Sequence, residues 1–225
     1  MARRIYHGSK FIVEKPKYGL GKPYNDYGLG FYCTEEIKLA KEWAVNYDSN
    51  GYANCYELDF DNLNVLYLNA EQYCILHWLA ILLENRSFDT SSPLSLEAKE
   101  YILEHFKVDY KSYDVIIGYR ADDSYFSFAQ DFLNGTISYR QLTHAMHLGK
   151  LGEQIVIKSK KAFENIRFVG YEAVESKEWY AKRMLRDKTA RREYFDMNKG
   201  KRQKGDLYIT HILDEEMDEN DLRLR

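Results

Sequence analysis

Tyr6-His7-Gly8-Ser9 ends the first predicted strand of the chain, and Gly28-Leu29-Gly30-Phe31-Tyr32 leads into the second. The chain between them is predicted to be loop, because Pro16, Pro23 and several glycines leave little room for regular structure. A third stretch, Gly152-Glu153-Gln154-Ile155-Val156-Ile157, opens a late strand with a carboxylate. We expect the three stretches to meet in one cleft that takes a flat, phosphate-bearing ligand.

The hydrophobic pattern predicts strands that alternate irregularly with helices. The predicted strands are residues 3–8, 31–34, 54–60, 63–68, 113–119, 154–158 and 166–169, the last as a final core strand. The predicted helices cover about residues 35–44, 70–84, 96–106, 124–133, 138–147 and 179–197, with Thr34 as the N-cap of the first. Because there is no regular strand–helix–strand repeat, the pattern favours an α+β fold over a doubly wound sheet.

Composition limits the class of protein. The 225 residues, 45% of them hydrophobic and 30% charged, are ordinary for a globular chain. Only three cysteines occur, an odd number whose spacing matches no zinc pattern. No apolar run resembles a signal peptide or a membrane span. We therefore expect a cytoplasmic protein that needs no membrane.

The composition changes near residue 175. Residues 177–204 carry eleven basic and four acidic side chains, and residues 214–221 form an acidic run. We therefore divide the chain into a domain over residues 1–172 and a charged helical extension over residues 173–225. The basic segment could be a solvated helix, a nucleic-acid contact, or a partner of the acidic run.

The three opening stretches resemble the ADP-ribosyltransferase superfamily, in the His-Tyr-Glu branch that includes diphtheria-like toxins and poly(ADP-ribose) polymerases. Tyr6-His7-Gly8-Ser9 looks like the first-strand motif of that branch, and Gly28–Tyr32 like its Gly-x-Gly-Ile/Phe-Tyr element. Glu153-Gln154-Ile155-Val156 looks like the strand start that carries its catalytic glutamate. The chain also resembles a bacterial family of formerly unknown function, in which an Ala-x-x-Trp-Ala helix (Ala40, Trp43 and Ala44) follows the tyrosine. The resemblance implies a split β-sheet core with flanking helices.

The resemblance also implies roles for the site residues in the cleavage of NAD. Glu153 would stabilise the positive charge that builds on the ribose as nicotinamide leaves. Tyr32 would stack on the nicotinamide ring. His7 would offer a ring N–H to a ribose hydroxyl, and Gly8 backbone groups to the carboxamide. The other expected NAD contacts are Ser9, Gly30, Phe31, Gln154 and, for the pyrophosphate, Arg4. If the strand is shifted by one residue, Gln154 replaces Glu153 at the acidic position.

The expected function is therefore NAD-dependent mono-ADP-ribosyl transfer to a protein or nucleic-acid acceptor, with NAD as co-substrate and no metal. The resemblance suggests a bacterial toxin or defence component held by an inhibitory, antitoxin-like partner protein. An NAD glycohydrolase and a non-catalytic NAD- or ADP-ribose-binding module are the alternatives.

His144 and His147 share a helical face, but no further metal ligand accompanies them. Asp122 and Asp123 could face the same cleft. Alternatively, Asp123 could be the N-cap of the next helix.

Overall fold

The structure is a computed structural model that describes residues 2–121, 123–148, 152–199 and 203–225, with only the backbone of Asp123 and Ser124. The strands in these ranges are β1 (Ala2–Ser9), β2 (Phe31–Cys33), β3 (Gly51–Asp59), β4 (Val65–Tyr67), β5 (Val115–Gly118), β6 (Gln154–Ile157) and β7 (Ile166–Val174). The α-helices are α1 (Ile37–Ala44), α2 (Ile75–Asn85), α3 (Pro93–His105), α4 (Asp123–Leu133), α5 (Tyr139–Ala145), α6 (Lys160–Glu164), α7 (Ser176–Asn198) and α8 (Ile209–Asp214). The fold class is α+β, as predicted.

The strands form two sheets. One sheet has three antiparallel strands in the order β1-β3-β7. The other has four strands in the order β2-β6-β5-β4, in which β4 and β5 run parallel and the other neighbours antiparallel. The two sheets share an apolar layer to which both contribute, and its buried members include Ile5, Tyr56, Cys33, Val115 and Ile155. A sheet buried on this face keeps its register, because a slip of one residue would turn the apolar set outward.

Helices cover the outer faces of both sheets. The largest apolar cluster lies on the other side of the four-stranded sheet and joins Val156 and Ile116 to helices α2 to α5. A smaller cluster packs α1 on the three-stranded sheet through Ala40, Ala44 and Ala53. The most apolar helix, α2, is buried on nearly every side, which explains its continuous hydrophobic sequence.

The C-terminal residues pack into the same core as the rest of the chain. Ala190 of α7, Ile212 of α8 and Leu224 all belong to the largest apolar cluster. The ring of Tyr194 stacks on Phe128 with 3.8 Å between centroids. The extension is therefore built into the fold through apolar contacts despite its high charge.

Two expectations about local structure are wrong. β7 is an edge strand of the three-stranded sheet with a mostly exposed face, so it is not a core strand. Helix α1 begins at Ile37 with Glu36 as its N-cap, so Thr34 lies two residues before the cap position. The Thr34 backbone bridges Tyr6, and its hydroxyl accepts the Glu36 N–H at 3.1 Å. The pairing of the basic segment with the acidic run, one of three alternatives, is not seen among the described residues. There the acidic run pairs with Arg223 and His77 through Glu215, Asp221 and Glu219.

Candidate functional site

The two sheets meet where Tyr6 of β1 pairs with Thr34, just beyond β2. The Tyr6 N–H donates to the Thr34 carbonyl at 2.7 Å, and the Thr34 N–H donates back at 2.9 Å. The next hydrogen-bonded pair of an antiparallel ladder would be Gly8 with Tyr32. Among the described residues that pair does not form, so β1 and β2 separate and leave a gap between their facing edges.

The side chain of His7 holds this gap open. Its Nδ1 lies 2.7 Å from the carbonyl oxygen of Tyr32, the acceptor that the Gly8 N–H would otherwise use. The imidazole also packs on Phe31, with 4.4 Å between ring centroids. The first two sequence motifs are therefore in direct contact, and His7 acts as a wedge between their strands.

The hydrogen-bond partner of His7 fixes which ring nitrogen carries the proton. A carbonyl oxygen only accepts, so Nδ1 must donate its N–H to Tyr32. Burial lowers the pKa of His7 and favours the neutral ring. Nε2 of the neutral ring then carries a lone pair that can accept a hydrogen bond. A ribose hydroxyl near Nε2 of the neutral ring would therefore donate to His7.

Gly8 exposes backbone groups to the gap. The N–H and C=O of Tyr6 point toward Thr34, and those of Gly8, two residues on, leave the same edge of β1. The absence of a side chain at Gly8 has a different cause from the one expected. A Cβ there would lie 2.1 Å from the carbonyl oxygen of Ala40 and 2.8 Å from the amide nitrogen of Ala44. Glycine is thus required by the close approach of α1.

Tyr32 directs its phenol ring away from His7. Its side chain packs against the largest apolar cluster, on the opposite face of β2 from Phe31. The hydroxyl donates to the Gly28 carbonyl at 2.6 Å and accepts the Tyr27 N–H at 3.1 Å. Burial raises the pKa of this phenol. The contribution of Tyr32 to the gap is therefore its backbone, while its ring supports the turn at Gly28.

Asn54, fully buried on β3, connects His7 to the loop that follows β1 through hydrogen bonds. Its amide nitrogen donates to the carbonyls of His7 at 3.2 Å and Phe11 at 3.1 Å. Its oxygen accepts the Val13 N–H at 2.9 Å. The hydroxyl of Ser9 accepts the Phe11 N–H at 3.2 Å, so this expected NAD contact also serves the loop.

The Gly-rich turn before β2 lies tightly against β6. A Cβ at Gly30 would lie 2.6 Å from the Val156 side chain. The Lys158 ammonium donates to the carbonyls of Tyr27 at 2.5 Å and Leu29 at 2.6 Å. Burial lowers the pKa of Lys158 to about 8. This lysine, which sequence analysis did not select, holds the second motif in place.

Glu153 directly precedes β6, and its side chain is exposed. Its carboxylate accepts a hydrogen bond from the Asn69 amide. Burial and, to a smaller extent, the negative charge of Glu153 raise the pKa of the nearby Tyr119 phenol. A cavity of about 500 Å³ opens beside these residues. Its lining includes Asn69, Tyr73, Tyr119, Tyr139, Thr143 and Leu224.

Glu153 and His7 do not touch. Ile155 of β6 pairs with Cys33 of β2, next to the Thr34 bridge that leads to β1. Two strand spacings, about 10 Å, therefore separate the backbone at Glu153 from β1. A single extended ligand would have to reach from the gap to the carboxylate.

Gln154 belongs to a buried polar cluster. Only 4% of it is exposed, and its amide donates to the Asp26 carboxylate at 2.7 Å. The same carboxylate accepts the Ala121 N–H at 3.0 Å and a guanidinium N–H of Arg86 at 2.9 Å. Burial nevertheless raises the pKa of Asp26. The structure thus places Gln154 inside the protein and Glu153 at its surface.

The other charged candidates lie apart from the gap. The Arg4 guanidinium pairs with Glu57 of β3 at 3.8 Å. In the part of the chain that the structure describes, no three potential metal ligands cluster, and the ring of His147 packs edge-on against Tyr119. Within the same ranges, no helix has the length and apolar character to cross a membrane. Asp122, the Asp123 side chain and residues 200–202 of the basic segment lie outside the described residues.

The sequence matches one protein family, whose function is unknown. The sequence model of one protein family, described as "Protein of unknown function (DUF3990)", matches residues 3–168. The match covers the gap, the Gly-rich turn, Glu153 and the strands from Arg3 of β1 to Phe168 of β7. No curated protein and no solved structure matches the chain.

Proposed function

We propose, on the premise that the chain belongs to the DUF3990 family of unknown function, that it cleaves NAD and passes ADP-ribose to an acceptor. The nicotinamide would enter the gap between β1 and β2, and the ribose would extend toward Glu153. The proposal rests on this gap, together with the resemblance of the three motifs to His-Tyr-Glu ADP-ribosyltransferases.

The wedge formed by His7 is the observation that carries the proposal. By occupying the Tyr32 carbonyl, the imidazole leaves the N–H and C=O of Gly8 facing the gap. A primary carboxamide has both a donor and an acceptor, so it can pair with both groups at once. Nicotinamide carries such a group on a flat ring, and the packed rings of His7 and Phe31 lie at the same edge, where they would border it.

Glu153 would act on the ribose. As the bond to nicotinamide breaks, positive charge develops on the sugar, and a fixed carboxylate lowers the energy of that state. Asn69 would orient this carboxylate through its hydrogen bond. Nε2 of His7, as an acceptor, would hold a ribose hydroxyl. Tyr32 would act through its backbone and by supporting the turn, in contrast to the stacking role expected from the sequence.

Two other functions use the same site. A glycohydrolase would pass the ribose to water, and a binding module would hold NAD or ADP-ribose without cleaving it. Glu153 is exposed to solvent, so either water or an acceptor group could reach a ribose bound beside it. Its exposure therefore does not distinguish hydrolysis from transfer.

Nicotinamide release from NAD by the purified chain tests the proposal. Glu153→Gln keeps the size of the side chain and its ability to bind Asn69 but removes the charge, so we expect release to fall by about 100-fold. Glu97→Gln, at an exposed position of α3 far along the chain, is the matched control and should release nicotinamide at the wild-type rate.

Labelled NAD with a cell lysate then separates transfer from hydrolysis. Label on a macromolecule supports transfer, and free ADP-ribose alone supports hydrolysis. If nothing is released but NAD binds, the chain is a binding module. If NAD neither binds nor is cleaved, the proposal is wrong.

A further inference from the structure

A loop of unusual composition borders the gap. Residues 10–24 connect β1 to the Gly-rich turn and contain four lysines and one glutamate. Their most exposed large apolar side chains are Phe11 (72%), Leu20 (65%), Tyr24 (61%) and Tyr18 (51%). We call this segment the aromatic loop. Several large apolar side chains are thus exposed within one loop, and concentrated exposed apolar surface typically marks a binding site.

The aromatic loop is anchored to the walls of the candidate site. Its first part is held by Asn54, and the Tyr56 hydroxyl donates to the Val13 carbonyl at 2.6 Å. The ring of Tyr18 packs edge-on against Phe163 at 5.9 Å, and Phe163 lies 6.2 Å from Phe31. Since Phe31 packs on His7, a continuous series of rings joins the exposed Tyr18 to the gap.

The aromatic loop is positively charged, because it has four lysines and one glutamate. None of Lys10, Lys15, Lys17 and Lys22 forms an ion pair with a residue that the structure describes. On α7, by contrast, Lys182 pairs with Glu178, Arg191 with Asp187 and Arg186 with Glu42. Basic side chains and exposed aromatic rings within one segment are typical of surfaces that bind phosphates and unstacked bases.

We infer that the aromatic loop binds single-stranded nucleic acid and that this strand is the acceptor of ADP-ribose. The lysines would contact the phosphates, and Phe11, Tyr18 and Tyr24 would stack with bases. A duplex keeps its bases stacked on one another, so it cannot use these rings. The inference depends on the proposed function for the transfer step, but the binding step stands by itself.

The transfer step balances without another reactant. The bond between the ribose C1′ and the nicotinamide nitrogen breaks, and nicotinamide leaves with the electron pair. A base nitrogen or a hydroxyl oxygen of the strand forms the new bond to C1′ and loses its proton to Glu153 or to water. The products are the ADP-ribosylated strand, nicotinamide and one proton.

Fluorescence anisotropy with a labelled RNA of about 12 nucleotides, the same DNA strand and a duplex tests the binding step. We expect both single strands to bind more tightly than the duplex. Tyr18→Ala and Tyr24→Ala should each weaken binding by about tenfold, whereas Tyr18→Phe should keep it. Lys15→Glu with Lys17→Glu should reduce the salt dependence of binding.

Phe195→Ala is the matched control, because Phe195 is 60% exposed on the basic helix α7 with Lys199 over its ring. It should leave binding unchanged. A loss in Phe195→Ala but not in Tyr18→Ala, or preference for the duplex, would overturn the inference. So would label from NAD that goes to proteins in a lysate and never to added RNA or DNA.

Nicotinamide release separates the two proposals. Release in the absence of any strand, combined with no binding of single strands, would leave NAD cleavage standing and end the acceptor inference. Binding that depends on Tyr18 and Tyr24, combined with no release at all, would support the surface and reject the enzyme. Circular dichroism of each variant excludes unfolding as the cause.

Discussion

The imidazole of His7 donates a hydrogen bond to the Tyr32 carbonyl, which the Gly8 amide would otherwise use. One side-chain hydrogen bond of 2.7 Å thus ends the pairing of β1 with β2 and exposes the backbone of Gly8. Elsewhere β1 is fully paired with β3, from Ala2 to Ser9, so the gap is confined to one edge of the strand.

Hydrogen exchange should detect this gap. We expect the Gly8 amide to exchange faster than the His7 amide, which faces β3 in the ladder. NAD should slow exchange at Gly8, because the carboxamide would cover it. In His7→Ala the wedge is gone, and the Gly8 amide can bond Tyr32, so its exchange should slow without any ligand. Equal exchange of the two amides in the wild type would contradict the geometry of the gap.

The neutral state of His7 predicts how stability depends on pH. Because burial lowers the folded pKa of His7 below its unfolded value, the unfolded chain binds more protons as the pH falls past the ordinary value of 6.5. Stability is then lost on acidification through this window. His7→Gln should show a shallower loss, measured as the free energy of unfolding in urea on either side of that pH. An unchanged slope would mean that His7 does not contribute.

Gly8→Ala tests the contact with α1. The new methyl group would meet the backbone of Ala40 and Ala44, so the helix must move, and we expect destabilisation by about 2 kcal/mol. Gly170→Ala in β7 is the matched control, because no atom lies within 4 Å of the Cβ position there. Thermal melts of the two variants give the comparison. Equal melting temperatures would show that α1 does not approach Gly8 closely.

Gln154→Glu tests the buried cluster around Asp26. The substitution places a second carboxylate at hydrogen-bond distance from the first, and two buried like charges oppose each other. We expect a loss of about 3 kcal/mol at pH 8 and a smaller loss at pH 5, where the pair can share a proton. Urea unfolding at the two pH values measures it. Glu153→Gln, at the exposed neighbouring position, should change stability little.

The ion pair between Glu42 and Arg186 should couple α7 to α1. The two groups lie 2.7 Å apart, and only 9% and 13% of their side chains are exposed. Removing either partner leaves the other charge buried, so Glu42→Ala should cost about 3 kcal/mol. The double variant with Arg186→Ala should cost clearly less than the sum of the single changes. Additive losses in urea unfolding would mean that the pair is not coupled.

The sequence predicted the elements whose signal is local. β5 appears within the predicted span 113–119 because Val115, Ile116 and Ile117 are all buried between layers. Helix α2 starts at Ile75, later than predicted, because Cys74 and His77 form a capping box that no apolar periodicity reveals. β7 was misjudged because edge position depends on which strands pair, which is a property of the whole sheet.

The candidate site was predicted by motif but not by geometry. His7 and Tyr32 do meet, yet through a carbonyl, a contact that residue type alone cannot indicate. Asn54 and Lys158 were missed, although each is a polar residue in or beside an apolar strand pattern, which is the available signal for a buried hydrogen-bonding role. Partners so distant in sequence are fixed only by the packing of the two sheets.

Leu224 in the core has a consequence for synthesis on the ribosome. The part that matches the family ends at residue 168, but the largest apolar cluster is completed by side chains up to residue 224. At translation rates of 5–20 residues per second, the nascent chain would wait about 3 to 11 s between these points. We expect the helices around α2 to stay loosely packed during that interval, so that a chaperone or a partner protein can meet the chain before its fold closes.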